Sequence, residues 1–439
     1  MTDKVEKISA RQVLDSRGNP TIYTNVKTSE GNIGFSCVPS GASTGSREAL
    51  EMRDNDPEKF NGKGVLKAIE NILEKISPLL HGLDVNDIQN IDSKMIELDG
   101  TEFKSQLGAN AILGVSMACT RASAMSLKIE LFELIRNIYD SRKTEYNLPN
   151  PMFNVLNGGS HAFNSTDFQE YMVVPNGFDN FEDSISAGFQ IYNKLKTILE
   201  SKNLPTTLGD EGGFAPPGFS NEDPLILLTQ AISKTSYQLG KEINFALDVA
   251  ASEFYDNSKN KYNLKSEKKE VSASELTDIY ASLIDKFPIY SIEDALSEDD
   301  WDGWKNLTNT IGDNIQLVGD DLYVTQKKFL TRGINEKAGN SILIKLNQVG
   351  TVSETLENIK IAQANNFETI ISHRSGETED TFIADLAVGT DSTQIKTGAP
   401  ARGERVNKYN RLLLISDIIY EKYGMQPKVN SIGKYKWRK

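Results

Sequence analysis

The sequence predicts an α/β protein built on a (β/α) barrel, preceded by a smaller mixed α+β segment. Three observations predict it. The chain has 439 residues, more than one compact domain of ~100–200 residues uses. Hydrophobic residues make up 38% and charged residues 25%, a balance that can bury a core and excludes a disordered chain. Beyond about residue 150, short apolar runs each end in a polar or charged residue, and a helical stretch usually follows.

The first part reads as strands and then helices. Residues 8–28 are rich in Val, Ile, Tyr and Thr and are broken at Gly18-Asn19-Pro20, which predicts two strands around a turn. Residues 31–39 predict a third strand. In residues 64–80, Val65, Leu66, Ile69, Ile72, Leu73, Ile76 and Leu79 recur in steps that give one helical face. Residues 107–124 are small and apolar, with Ala109, Ala111, Gly114, Ala118 and Ala122, so this helix is expected between close neighbours. The polar stretch 139–151 ends in Leu-Pro-Asn-Pro, and the boundary is placed there: 1–140 as an N-terminal α+β capping domain, 141–439 as the barrel domain.

The barrel segment is carried by seven runs. They are Thr206 to Glu211, Phe245 to Asp248, Tyr290 to Asp294, Leu317 to Asp321, Ile342 to Lys345, Thr369 to Arg374 and Gln394 to Lys396. From Glu293 onward the polar ends Asp320, Lys345, His373 and Lys396 follow at nearly even spacing, room for one strand, one helix and two loops. A doubly wound open sheet shares this rhythm, and seven such units favour the barrel. In a barrel the strand ends converge on one mouth, where the chemistry sits.

Composition narrows the chemistry. There are 61 acidic against 48 basic residues, a formal charge of -13, which argues against a nucleic-acid surface. Two cysteines build no disulfide framework and fit a reducing compartment, so the cytoplasm is expected. The start, Met1 to Lys7, has no apolar core, and neither a leader peptide nor a membrane span is expected. Three histidines are too few for a histidine-rich zinc site, which turns any metal toward oxygen ligands.

The strand ends supply those ligands. Asp248, Glu293 and Asp320 would point into one mouth, where three carboxylates repel unless a cation such as Mg2+ lies among them. Each could instead pair with a local base or cap a helix. Lys345 and Lys396 end strands further round the ring. A lysine titrates near 10.4 and is a poor base at neutral pH, but a neighbouring cation disfavours its charged form. A plain salt bridge to Asp320 or Asp321 is compatible with that role. Glu211, in Gly209-Asp210-Glu211-Gly212-Gly213, and Glu170 are candidates for an acid pair in which one member is raised and serves as a general acid. His373-Arg374-Ser375-Gly376 follows a strand and offers a cation and a hydroxyl to an anion such as phosphate.

These residues resemble the enolase family, phosphopyruvate hydratase, over essentially the whole chain. The matching segments include Asp15 to Thr21, Pro39 to Gly45, Asn157 to Ala162, Gly209 to Pro216, Ser291 to Asp294, Gly319 to Thr325, Lys345 to Thr351, Ser372 to Thr378 and Ile395 to Pro400. The resemblance implies an eight-stranded (β/α) barrel of enolase type with a smaller N-terminal α+β domain. It implies a glycolytic hydro-lyase that interconverts 2-phosphoglycerate and phosphoenolpyruvate with two Mg2+ per active site. By the same resemblance Asp248, Glu293 and Asp320 hold the first Mg2+, and Ser43, in a closing loop, helps hold the second. Lys345 is the base at carbon 2, and Glu211 is the acid at the carbon-3 hydroxyl. Gln169, Glu170, Lys396, His161 and His373 surround the substrate, and Arg374 with Ser375 meets its phosphate. The family forms homodimers, and some members octamers; a surface pool without a leader peptide is a further expectation. Tyr23, Phe163, Pro217-Gly218-Phe219, Ala295 and Leu296 depart from the common pattern, and none of them bears a role.

Overall fold

Three antiparallel strands open the chain: β1 (Val5–Leu14), β2 (Pro20–Thr28) and β3 (Ile33–Cys37), in that spatial order. The turn between β1 and β2 is built by Asp15, whose Oδ1 accepts from the Arg17 and Asn19 amides at 2.8 and 2.9 Å. The computed structural model describes residues 2–41, 45–162 and 165–431, with the backbone but not the side chain of His161. Ser43, Phe163 and the basic tail at 434–439 lie outside the described residues.

The helix expected at 64–80 runs through 66–80 with a π-helical middle, Ile72–Ile76. Its buried stripe is Val65, Ile69, Ile72, Ile76 and Leu80, while Leu66 and Leu73 project into solvent, so the apolar set in the sequence is broader than the face it covers. The alanine-rich helix spans Ala109–Leu127 and is buried almost throughout, with β2 and β3 on one side and helices on the other. Small residues allow this: a Cβ on Gly34 of β3 would stand 2.0 Å from the Ala118 carbonyl.

Eight strands then close a barrel. In chain order they are β4 (Asn150–Asn157), β5 (Glu170–Pro175), β6 (Ile243–Asp248), β10 (Ile289–Glu293), β11 (Gln316–Gly319), β12 (Ser341–Ile344), β13 (Glu368–Ser372) and β14 (Gln394–Lys396). The labels β7 (Tyr255–Asp256), β8 (Lys261–Leu264) and β9 (Lys269–Val271) belong to a small antiparallel sheet inserted after β6. Helices cover the outside of the barrel. Inside, an apolar layer that includes Met152, Met172, Ala246, Val318, Leu343 and Ile370 sits next to a polar layer. There Ser291 Oγ donates to Gln316 Oε1 at 2.7 Å and Gln316 Nε2 to Gln394 Oε1 at 2.7 Å. No helix among the described residues is long and apolar enough to cross a membrane.

Two expectations about strands are corrected. The run Thr206 to Glu211 is not a barrel strand; it is a loop joined to its surroundings by an isolated bridge between Leu208 and Phe214. Two barrel strands are missing from the seven runs, β4 and β5; β5 follows β4 as a hairpin and runs antiparallel to both its neighbours, β4 and β6. The barrel is therefore not uniformly parallel. Reversal of β5 brings its first residue, Glu170, to the mouth where the other strands end.

Candidate active site

Register decides which side chains meet at the mouth. Glu170 on β5 lies opposite Asp248 on β6, and Asp248 opposite Glu293 on β10. Three carboxylates in a row need positive charge nearby, and Lys396 at the end of β14 supplies it. Its Nζ stands 2.8 Å from Asp248 Oδ2, 2.9 Å from Glu293 Oε2 and 3.2 Å from Glu170 Oε2. Burial alone disfavours the ammonium, but these anions outweigh it and hold Lys396 well above the ordinary lysine range. Burial, and then the neighbouring Glu211, pushes Glu170 well above the usual carboxylate range. Glu170 and Glu211 line the same cleft, and the raised member is Glu170, whereas the resemblance gives the role of acid to Glu211.

Asp320, just past β11, pairs with Lys345, just past β12, and its other oxygen accepts from Gln348 Nε2 at 2.9 Å. A lysine whose charge is disfavoured is expected from the sequence. In this structure Lys345 is raised: burial lowers it, as do Arg374 and Lys396, but Asp320 prevails. Asp320 is correspondingly lowered, Lys345 overcoming burial.

The oxygens of Asp294, Asp320 and Asp321 approach within 4.8 Å of one another, the tightest acidic group among the described residues. Only Asp320 is shared with the set expected from sequence. Asp294 is occupied as a brace: Oδ1 and Oδ2 accept the backbone amides of Asp320 and Asp321, each at 2.9 Å. Burial and neighbouring carboxylates raise Asp294 and Asp321 far above the usual range. The expected ligands Asp248, Glu293 and Asp320 sit at or just past the ends of consecutive neighbours β6, β10 and β11, all at least nine-tenths buried. Hard oxygen donors with no Cys or His among them suit Mg2+.

Glu211 reaches the same mouth from loop 209–213. Its Oε2 accepts from Asn154 Nδ2 at 3.0 Å and faces His373 Nε2 at 3.2 Å. Burial lowers the His373 imidazole, and Arg405 reinforces it against Glu211, bringing it to about 4. Gln169 donates from Nε2 to Asp248 Oδ2 at 3.3 Å and accepts from Ser160 at 2.8 Å. Ser375 is buried at the cleft, with its carbonyl held by Arg405 at 2.6 Å. The backbone of His161 lies in the short 3₁₀ turn Gly159–His161, on the hairpin between β4 and β5.

Arg374 is engaged by a residue the sequence reading missed. Both oxygens of Glu48, from the N-terminal part of the chain, accept from its guanidinium at 2.9 and 3.1 Å. Arg405, Asn154 and Gln348 were missed as well. Only Gln348 lay in a segment already singled out, Lys345 to Thr351; no motif announced the others. Glu170, Glu211, Asp248, Asp320, Lys345, Lys396 and the 372–375 segment line one cleft.

The family model described as the enolase C-terminal TIM barrel domain matches residues 145–429, and that of the enolase N-terminal domain matches residues 5–135. A curated relative named enolase from a Nitratiruptor species is 52% identical over 420 residues, covering 95% of this chain and 98% of the relative. Another enolase, from Sulfurimonas denitrificans, is 53% identical over 420 residues with the same coverage. The chain belongs to the enolase family of hydro-lyases.

Proposed function

We propose that this cleft carries out the reversible dehydration of 2-phosphoglycerate to phosphoenolpyruvate. The observation that carries the reading is one buried cleft holding a lysine, Lys345, a carboxylic acid, Glu211, and cations suited to a highly anionic substrate, Lys396 and Arg374. Lys345 takes the proton from carbon 2. The electron pair released forms the carbon–carbon double bond, and the carbon-3 hydroxyl leaves as water with a proton from Glu211. Asn154 Nδ2 donates to Glu211 Oε2 at 3.0 Å and so helps to hold the carboxyl in place.

The proton beside a carboxylate is weakly acidic, so the developing charge must be met by fixed cations in a dry site. Lys396 is one. Asp248, Glu293 and Asp320 would hold a Mg2+, and Ser43 a second; bound there, Mg2+ supplies Lewis-acid neutralisation of the substrate's carboxylate. Lys345 must be neutral to accept a proton. Arg374 and Lys396 already oppose its charge, so engaging Asp320 elsewhere tips the balance toward the free amine. Arg374 and Ser375 would receive the phosphate, with Arg374 exchanging Glu48 for it. Gln169 and His161 would be further contacts to the substrate.

The same proposal divides the chain near residue 140 and places it in the cytoplasm, as a homodimer or larger homo-oligomer. Two free cysteines support the compartment, and the outward Ile33 and Phe35 of β3 support association. The test is to add 2-phosphoglycerate and Mg2+ and follow the ultraviolet absorbance of the enol product. Absence of product, or product formation indifferent to a chelator, would overturn the reading.

A further inference from the structure

Arg405 lies in the first turn of helix Gly403–Tyr423 with no exposed surface, and it reaches no substrate-lining position itself. Its guanidinium joins two loops of the site. Nη1 stands 2.7 Å from His373 Nδ1 and donates to the Arg374 carbonyl at 2.6 Å. Nη2 donates to the Ser375 carbonyl at 2.6 Å and to the Asp210 carbonyl, next to Glu211, at 3.1 Å. Room for it is made by Gly398: at φ +87, a Cβ there would stand 2.9 Å from Arg405 Cδ and 2.8 Å from the Glu211 carbonyl.

A guanidinium has donors and no acceptor, and it keeps its charge. A ring nitrogen 2.7 Å away must therefore accept. We propose that Arg405 is a positioning residue that locks His373 as the neutral tautomer with its proton on Nε2, the atom facing Glu211. This rests on the reading of Glu211 as the acid of the dehydration. The lock has two consequences. Protonation of Nδ1 would set a second cation against Arg405, so the ring stays neutral. A neutral Nε2–H turns only a dipole toward Glu211 Oε2, 3.2 Å away, whereas an imidazolium would hold Glu211 as an ionised partner with no proton to give. The charged groups facing the ring are Glu211 from loop 209–213, Arg405 from its helix, and Glu377 from its own loop, whose carboxylate is met by Lys408 at 2.9 Å.

The chain has only three histidines, so ¹⁵N-imidazole labelling of the whole protein gives a readable spectrum. His373 is assigned by comparison with His81→Gln and His161→Gln. In the unmodified protein we expect the Nε2–H neutral pattern throughout the range from mildly alkaline pH to about one unit below the ordinary histidine value of about 6.5. Arg405→Met should lose that pattern and titrate near the ordinary value. It should also lose roughly 10²-fold in kcat, with exchange of the carbon-2 proton retained and the acid limb of the rate profile moved upward. Arg405→Lys, which restores a charged donor, should recover the tautomer and part of kcat. An Nδ1–H or protonated His373 at neutral pH in the unmodified protein overturns the proposal, whether or not Arg405→Met folds. So does Arg405→Met with tautomer and pH profile unchanged. If the tautomer changes as expected but carbon-2 exchange is lost along with turnover, the lock stands and the assignment of Glu211 as the acid falls.

Discussion

In the proposed reaction Lys345 and Glu211 serve different carbons of one small substrate, so their losses should separate. Lys345→Ala is expected to abolish exchange of the carbon-2 proton with solvent. Glu211→Gln should lower turnover by roughly 10²–10⁴-fold, the usual scale of acid–base assistance, while leaving exchange largely intact. Equal loss of exchange in both variants would show the base and acid to be wrongly assigned. His373 gives a second residue-level outcome, in stability. Burial and Arg405 hold it at about 4, whereas an unfolded histidine titrates near 6.5. The native state thus binds fewer protons than the unfolded one in between. The stability due to the neutral ring is complete above about 6.5 and is lost as pH falls toward about 4. Between pH ~7.5 and ~5, urea unfolding of the parent should lose on the order of 2 kcal/mol more than that of His373→Asn. Equal pH slopes would remove the depressed histidine. Strand-end residues such as Lys345, Lys396 and Asp248 were legible because a barrel sends every strand end to one mouth. Glu48 and Arg405 were not. Each acts through a partner hundreds or tens of residues away, and nothing local in the sequence marks such a pairing.

At the scale of elements, close approach carries the N-terminal part. Gly34 of β3 lies against the backbone of helix Ala109–Leu127, where an added Cβ would meet the Ala118 carbonyl at 2.0 Å and the Ala122 amide nitrogen at 2.4 Å. Backbone cannot rotate away as a side chain can. Gly34→Ala should therefore destabilise by about 1–3 kcal/mol, the cost of overpacking, seen as a lower urea midpoint at unchanged slope. The three strands and the alanine-rich helix were readable from the sequence because turn residues and a run of small residues each have a local cause. The direction of β5 had none. Its six residues are all buried, and a fully buried strand reads the same in a parallel and an antiparallel place. Residues 206–211 imitated a strand end for the opposite reason. They carry a short polar-ended run before a functional acid, yet Glu211 is presented by a loop bridged to Phe214 and capped by the Ala399 amide, which donates to its carbonyl at 2.9 Å.

Across the whole molecule, charge is distributed so that the site opposes the bulk. The chain carries -13 overall, but the cleft sets Lys345, Lys396, Arg374 and Arg405 among its carboxylates. Each of these cations is paired with an anion or fixed to carbonyls, and the pairings of Lys345, Lys396 and Arg374 are ones that a divalent ion or an anionic substrate can replace. If Asp248, Glu293 and Asp320 hold Mg2+ as proposed, the ion binds the folded chain and not the unfolded one, so it should stabilise by mass action. At 100 times its dissociation constant the gain is about 2.7 kcal/mol. Thermal unfolding should accordingly move up on adding Mg2+ and return with chelator. A bulk screening effect on an acidic protein would raise the midpoint too, and it is separated by NaCl at equal ionic strength, which screens without coordinating. Asp320→Asn distinguishes the site from the surface: it removes one ligand and the partner of Lys345 while changing the total charge little. The Mg2+ shift should shrink to the size of the NaCl shift in that variant. If NaCl reproduces the Mg2+ shift in the unmodified protein, or if Asp320→Asn keeps the full shift, the metal does not bind through these strand ends.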